Sequence, residues 1–242
     1  MNNSNHNIGL LVSAVFLSFG IAAAGFFVSK TLYNAKIALN TADVKGLAER
    51  KVEADKAFWL IQYTVIGNKK SDLPELYKSS ESDQSKIISL LQNSGFSKQE
   101  IMPGVIDYQR QEFRDENQNL VEEKHTLIGE IEVQTSKVKL VSQVRAKLNK
   151  LIAQGLNVKN NAPSYYFTKL NQIKPEMLKE ATKNARLAAN EFAENAGVNV
   201  GGIRSARQGG FTIRDVGQSY GDTRKIEKDV RVVTTVTFFL TD

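Results

Sequence analysis

Hydrophobic positions divide this chain into one unbroken N-terminal run and a long body in which the apolar spacing changes from segment to segment. Ile8 to Val28 (IGLLVSAVFLSFGIAAAGFFV) holds no charged residue, and as a helix it would be roughly 30 Å long, the thickness of a bilayer's hydrocarbon core. Two readings compete for it. A cleaved secretory signal would use Ala22, Ala23 and Ala24 as its small-residue processing site. An uncleaved membrane anchor explains why Phe26, Phe27 and Val28 carry the apolar run past that point, and why the leader MNNSNHN lacks Lys and Arg. The anchor is the reading adopted, with residues 1–7 as a short polar leader and 29–42 as a stalk. Lys30 and Lys36 follow the span, whereas only the terminal amine and His6 precede it. Counted naively, the positive-inside rule keeps the body in the cytoplasm, but a bias of two charges is too small to fix topology.

From residue 43 onward the pattern alternates between periods of two and 3.6. Val44–Ala54 reads as an outer strand. Asp55–Asn68 carries Ala57, Trp59, Ile61, Tyr63 and Val65 on one face and Phe58, Leu60 and Ile66 on the other, which predicts a strand covered on both sides, with Trp59 in the core. Asp72–Asn93 is predicted helical, ended by Gly95 and exposed over Ser79–Ser85. Glu100–Gln111 and Glu123–Thr135 read as a hairpin around a solvated turn at Arg114–Asn119. Val138–Ala153 is amphipathic, with Val141, Val144, Leu148, Leu151 and Ile152 as its stripe. Ser164–Asn171 reads as a short aromatic strand. A last helix, with Pro175 in its first turn, runs to Ala196 and presents Ala181, Ala185, Ala188, Ala189 and Phe192 as a packing seam. Strands follow at Val198–Arg207, Gly210–Asp215 and Asp229–Leu240, the last of them central, with Val216–Lys228 as a long polar loop. This order predicts an α+β fold, about three helices packed on mainly antiparallel strands.

Composition narrows the chemistry. The 242 residues are 41% hydrophobic and 24% charged, which excludes a disordered tail or a fibrous repeat. The net charge of +6 is spread along the chain and forms no basic arm, and no nucleic-acid motif with interleaved aromatics is present. The absence of cysteine and the presence of only two histidines, His6 and His125, exclude disulfides, thiol nucleophiles and Cys/His zinc sites. His125 has no second histidine in the body to converge with, and a half-exposed strand residue is the expectation. The glycine-rich Gly197–Gly210 follows a helix and enters a strand, the reverse of a phosphate-cradling loop. Asp107, Asp115, Glu116, Glu122 and Glu123 lack calcium-loop spacing, and a solvated turn accounts for them. No catalytic, cofactor-binding or metal-ligating residue is assigned, and no cofactor or nucleic-acid partner is expected.

Three stretches together resemble the SIMPL-domain family, which includes YggE-like oxidative-stress proteins and periplasmic immunogenic antigens. One carries Val44, Gly46, Ala48, Glu49, Arg50, Val52, Ala54, Asp55 and Ala57; the second is Leu178–Gly197 with its run-on VNVGGI; the third is VRVVTTVTFFL, Val230–Leu240. The resemblance covers about residues 43–242. It implies an α+β SIMPL domain exported across the inner membrane, and ring-shaped homo-oligomers among its relatives. It supplies no catalytic residues. The resulting expectation is a non-enzymatic, single-pass inner-membrane protein held by Ile8–Val28. Its domain lies in the periplasm, self-associates into a scaffold or ring, and is linked to oxidative or envelope stress. Two rivals stand beside it: a small-ligand or metal-binding module using the acidic hairpin or the 201–228 loop, and an enzyme of unrecognised type.

Overall fold

The structure, a computed structural model, describes residues 3–37 and 40–241. Helix α1 spans Asn3–Ile37. Within it Val12–Tyr33 forms an apolar stretch of 22 residues with mean hydropathy 2.0, none of it buried in the protein. Two of its hydroxyls are satisfied locally: Ser18 Oγ donates to the Val15 carbonyl at 2.9 Å and Thr31 Oγ1 to that of Phe27 at 2.8 Å. The helix continues through most of the expected stalk, because Lys30–Ile37 contains no glycine or proline to stop it. The side chains of Ile8, Leu10 and Leu11 in the expected span, and Leu39 in the stalk, lie outside the described residues.

The elements that follow are β1 (Thr41–Glu53), β2 (Lys56–Gly67), α2 (Leu73–Asn93), β3 (Ile101–Pro103), β4 (Asp107–Arg114) and β5 (Leu120–Thr135). After them come α3 (Val138–Ala153), β6 (Val158–Asn160), β7 (Ser164–Tyr166), α4 (Leu170–Ala196), β8 (Asn199–Gln208), β9 (Thr212–Asp215) and β10 (Glu227–Thr241). The fold is α+β with antiparallel pairing, as the hydrophobic pattern predicts. The residues divide into two compact units, and the division passes through β1, α4 and β10.

The larger unit, residues 49–175 and 211–231, is built on a sheet of order β3-β5-β2-β6, with β4 also on β5 and β7 also on β2. Ala57, Trp59, Ile61 and Tyr63 of β2 and Ile131 and Val133 of β5 are buried beneath Ile87 and Leu91 of α2 and Val141, Val144 and Leu148 of α3. Each such aliphatic side chain contributes about 1.5–3 kcal/mol of burial. Tyr63 lies opposite Gly129 on β5, and a Cβ on that glycine would collide with the phenol end of the tyrosine, at Cζ and Oη. Glycine is therefore required there by space. The β2–β5 pairing ends at Gly67 and His125, while β4 and β5 stay paired as far as Arg114 and Leu120. A two-stranded ribbon thus extends beyond the end of β2.

The smaller unit holds residues 176–210 and 232–242 together with the start of the chain to residue 48. Strand β10 lies between β1 and β8. Val44, Val236 and Phe238 pack against Ala185 and Ala189 of α4. Three expectations about the helices need correction. Helix α4 begins at Leu170, so Pro175 lies inside it; lacking an N–H, it leaves one carbonyl of the preceding turn without its helical donor. The packed stripe is Met177, Ala181, Ala185, Ala189 and Ala193, a strict four-residue repeat that excludes Phe192, which is 66% exposed. Ser80, inside the stretch of α2 expected to be exposed, is buried.

Candidate functional site

Alternation along β4 and β5 places Tyr108, Arg110 and Glu112 on the same face as Glu123, His125 and Leu127, with Arg110 directly across from His125 and Glu112 across from Glu123. His125 is fully buried, which corrects the expected half-exposed residue: it continues the buried row of β5, and Tyr108 lies over it. The two rings are parallel, with centroids 6.0 Å apart. Tyr108 Oη is 2.8 Å from His125 Nδ1, and His125 Nε2 is 3.2 Å from Glu123 Oε2. These bonds are satisfied together when the phenol donates to Nδ1 and Nε2–H donates to the carboxylate. Arg110 Nε donates to Glu123 Oε1 at 2.6 Å, and Arg110 also pairs with Glu112. The outcome is a continuous chain of hydrogen bonds across the ribbon, suited to pinning β4 onto β5.

Asp107, Glu112, Asp115 and Glu123 of this hairpin are engaged by nearby donors. Arg114 and then Arg110 hold the Glu112 carboxyl below its ordinary value. Asp115 closes the 115–119 turn by accepting from the Asn119 and Asn117 backbone N–H groups at 2.8 and 2.9 Å, with Asn119 the main cause of its lowered pKa. No group of three or more His, Cys, Asp or Glu side chains converges among the described residues.

A second constellation lies where the polar 216–228 segment returns to the larger unit. Lys228 and Asp215 form a fully buried ion pair, Nζ to Oδ1 2.5 Å. Lys228 Nζ also donates to the Asp222 carbonyl, and the Arg224 N–H donates to Asp215 Oδ2 at 2.9 Å. Burial pushes the Asp215 carboxyl up; the Lys228 ammonium and the backbone N–H groups of Arg224 and Lys225 outweigh it, leaving the carboxyl below its ordinary value. Further tethers run from the Tyr165 N–H to the Thr223 carbonyl and from the Ala54 N–H to the Ile226 carbonyl, both 2.7 Å. The segment read from sequence as a long polar loop is therefore fastened to its surroundings through Thr223, Arg224, Ile226 and Lys228.

This fastened segment forms one wall of a cleft of about 730 Å³, with Arg224, Lys225 and Glu227 on that wall and Ser142, Arg145 and Tyr165 facing them from α3 and β7. Arg145 is fixed by Asn160: Nε donates to Oδ1 at 3.2 Å, and Asn160 Nδ2 donates back to the Arg145 carbonyl at 3.0 Å. Asn160 Oδ1 also accepts from the buried Trp59 indole at 3.3 Å. Tyr165 Oη and Ser142 Oγ are 3.0 Å apart.

Comparison with known proteins bears on the whole body of the chain. It matches SIMPL, a protein family of unknown function (DUF541), over residues 42–238. The chain belongs to the SIMPL family. No curated protein matches it.

Parts of all three stretches that carried the resemblance meet in the smaller unit of this SIMPL domain. Val44 comes from the first, Ala185 and Ala189 from the second, and Val236 and Phe238 from the third. Ala54 and Ala57 of the first stretch instead join the core of the larger unit, and the family match over residues 42–238 spans both units. The ribbon array left one signal in the sequence, the alternation of Tyr108, Arg110, Glu112 and Arg114 opposite Glu123 and His125. The Lys228–Asp215 pair left none, since a charged residue in a polar segment ordinarily reads as solvated.

Proposed function

We propose that this SIMPL protein is a single-pass membrane protein whose domain faces the periplasm and acts as a non-enzymatic, self-associating scaffold, with a role under oxidative or envelope stress. The observation that carries the anchoring is the length of α1 left uncovered: Val12–Tyr33 is apolar, long enough to span a bilayer, and unburied by the rest of the protein. Self-association is supported by the edges of the sheet in which β10 is central. Strand β8 ends that sheet on one side and β1 on the other. The ten residues of β8, exposed over most of their length, contain no proline and no acidic residue. A long edge strand is a template for another strand, and joining two unlike edges generates rings when the rotation closes. The periplasmic orientation and the stress role rest on the family resemblance alone.

The test is the absolute mass of the full-length protein in mild detergent, together with protease protection in spheroplasts. A closed multimer, with the domain digested from outside the inner membrane, is the expected result. A monomer at micromolar concentration removes the scaffold. Protection from external protease reverses the topology.

A further inference from the structure

The cleft between α3, the 162–165 segment and the 224–227 segment combines positive charge, fixed geometry and a free hydroxyl proton. We propose that it binds the phosphate-monoester group of a small ligand. Three cations, Arg145, Arg224 and Lys225, stand against one carboxylate, Glu227, a surplus that matches a dianion. Arg145 offers a planar fork of donors, and its bonds to Asn160 use Nε and Nη2, leaving Nη1 outside that set. Lys225 is held by the bond of its Nζ to the Val216 carbonyl at 2.7 Å, and it keeps two further N–H donors. Tyr165 and Ser142 share one hydrogen bond, so one of their two hydroxyl protons remains available to an acceptor in the cleft. Pro163 and Ile226 add an apolar flank suited to the carbon part of an ester.

The wall carrying Arg224 and Lys225 has no regular secondary structure, and the chain holds it by burying a lysine–aspartate pair completely. Removing two charges from water is costly, and such pairs are weak devices for stability alone; their best-attested use is to specify one arrangement. Here that arrangement sets the backbone at Arg224 and Lys225, two of the three residues that bring positive charge to the cleft. Donors positioned in advance lose little freedom on binding, which is what a site for a strongly hydrated anion requires.

Phosphate monoesters reach such a protein either as free phosphorylated molecules or as a lipid headgroup, and one experiment separates the two. Full-length protein in mild detergent is titrated by calorimetry with inorganic phosphate and glycerol phosphate, and in parallel with micelles doped with phosphatidic acid. Saturable binding is expected, weakened about tenfold or more by Arg224→Glu and tightened by Glu227→Gln, which removes the opposing charge. Arg224 is exposed, and circular dichroism of the variant verifies that its fold is retained. Binding of the soluble phosphates identifies a free phosphorylated ligand; binding of phosphatidic acid alone identifies a headgroup. Absence of saturable binding in both arms, or binding that is indifferent to both substitutions, overturns the proposal. The outcome is independent of whether the protein is monomeric or assembled.

Discussion

Gly46 on β1 lies so close to Ala181 on α4 that a Cβ at position 46 would collide with the Ala181 carbonyl oxygen and come within 2.5 Å of the Ala185 nitrogen. The alanines of α4 and the glycine of β1 therefore serve one purpose, bringing a helix backbone onto a strand backbone. The atoms in the way belong to the main chain and cannot move aside by changing rotamer. Gly46→Ala is expected to destabilise the fold by about 3 kcal/mol, measured by urea denaturation. Adding Ala185→Gly should bring no recovery, because no side chain is the obstacle. Recovery in the double variant would show that the contact is a looser side-chain one.

The buried pair of Lys228 and Asp215 makes a prediction of a different kind. Lys228→Met leaves the Asp215 carboxylate buried without its counter-charge, and a loss of about 3–5 kcal/mol is expected. Combining it with Asp215→Leu removes both charges and should recover part of the loss. The recovery stays incomplete because the Arg224 N–H loses its acceptor. Urea midpoints of the two variants verify this, and amide exchange at Arg224 should accelerate in both. Equal stability of Lys228→Met and the parent protein would mean that the pair is solvated in solution.

Which parts of this architecture could be read in advance follows from the range of the interactions that form them. Helix α3 has the boundaries expected from its stripe, because an unbroken 3.6 period from Val141 to Leu151 is local information. Strand β2 was legible for a similar reason, its apolar residues occupying both faces. The ribbon array was not. Whether Tyr108 reaches His125 depends on cross-strand register, and the register depends on a turn at 115–119 that places Arg110 opposite His125. The stretch read as one strand from Glu100 to Gln111 is two, β3 and β4, separated by residues 104–106. The cleft was hidden because its residues come from segments far apart in the chain, and the ion pair because a charged residue in a polar segment reads as solvated.

Tyr63 and Ser80 offer a test in which loss of a polar group should do no harm. Both hydroxyls are buried and neither has a partner at good hydrogen-bond geometry; burial raises the Tyr63 pKa, and the neighbouring Ser80 and Gln84 side chains only partly oppose it. A buried hydroxyl without a partner opposes folding, so deleting it relieves a desolvation penalty. Tyr63→Phe keeps the ring that fills the space over Gly129 and is expected to be neutral or to stabilise by about 1 kcal/mol. Tyr63→Ala, which empties that space, should destabilise by about 3–5 kcal/mol. Thermal denaturation of the two variants separates these effects. A clear loss in Tyr63→Phe would reveal a hydrogen bond at this hydroxyl.

Glu100 supplies the pH dependence. Its carboxylate accepts from the Ser97 N–H at 2.8 Å, from the Thr135 hydroxyl at 2.5 Å and from the Lys137 ammonium at 2.9 Å. Burial pushes this carboxyl up, and the three donors outweigh burial, bringing its pKa from 4.5 down to about 2. A carboxyl whose pKa is lower in the folded state stabilises fully above its unfolded value. That contribution fades as pH falls from about 5 toward the folded value. A tenfold change in proton affinity corresponds to about 1.4 kcal/mol; the side chain keeps 17% of its surface in contact with solvent, which screens part of this and leaves about 2 kcal/mol at neutral pH. Glu100→Gln should therefore be less stable than the parent protein at pH 7, with the gap narrowing steadily toward about pH 3. Urea denaturation of both proteins across that range measures the gap. A gap that stays constant with pH would assign the loss to packing of the altered side chain and remove Glu100 as a source of acid sensitivity.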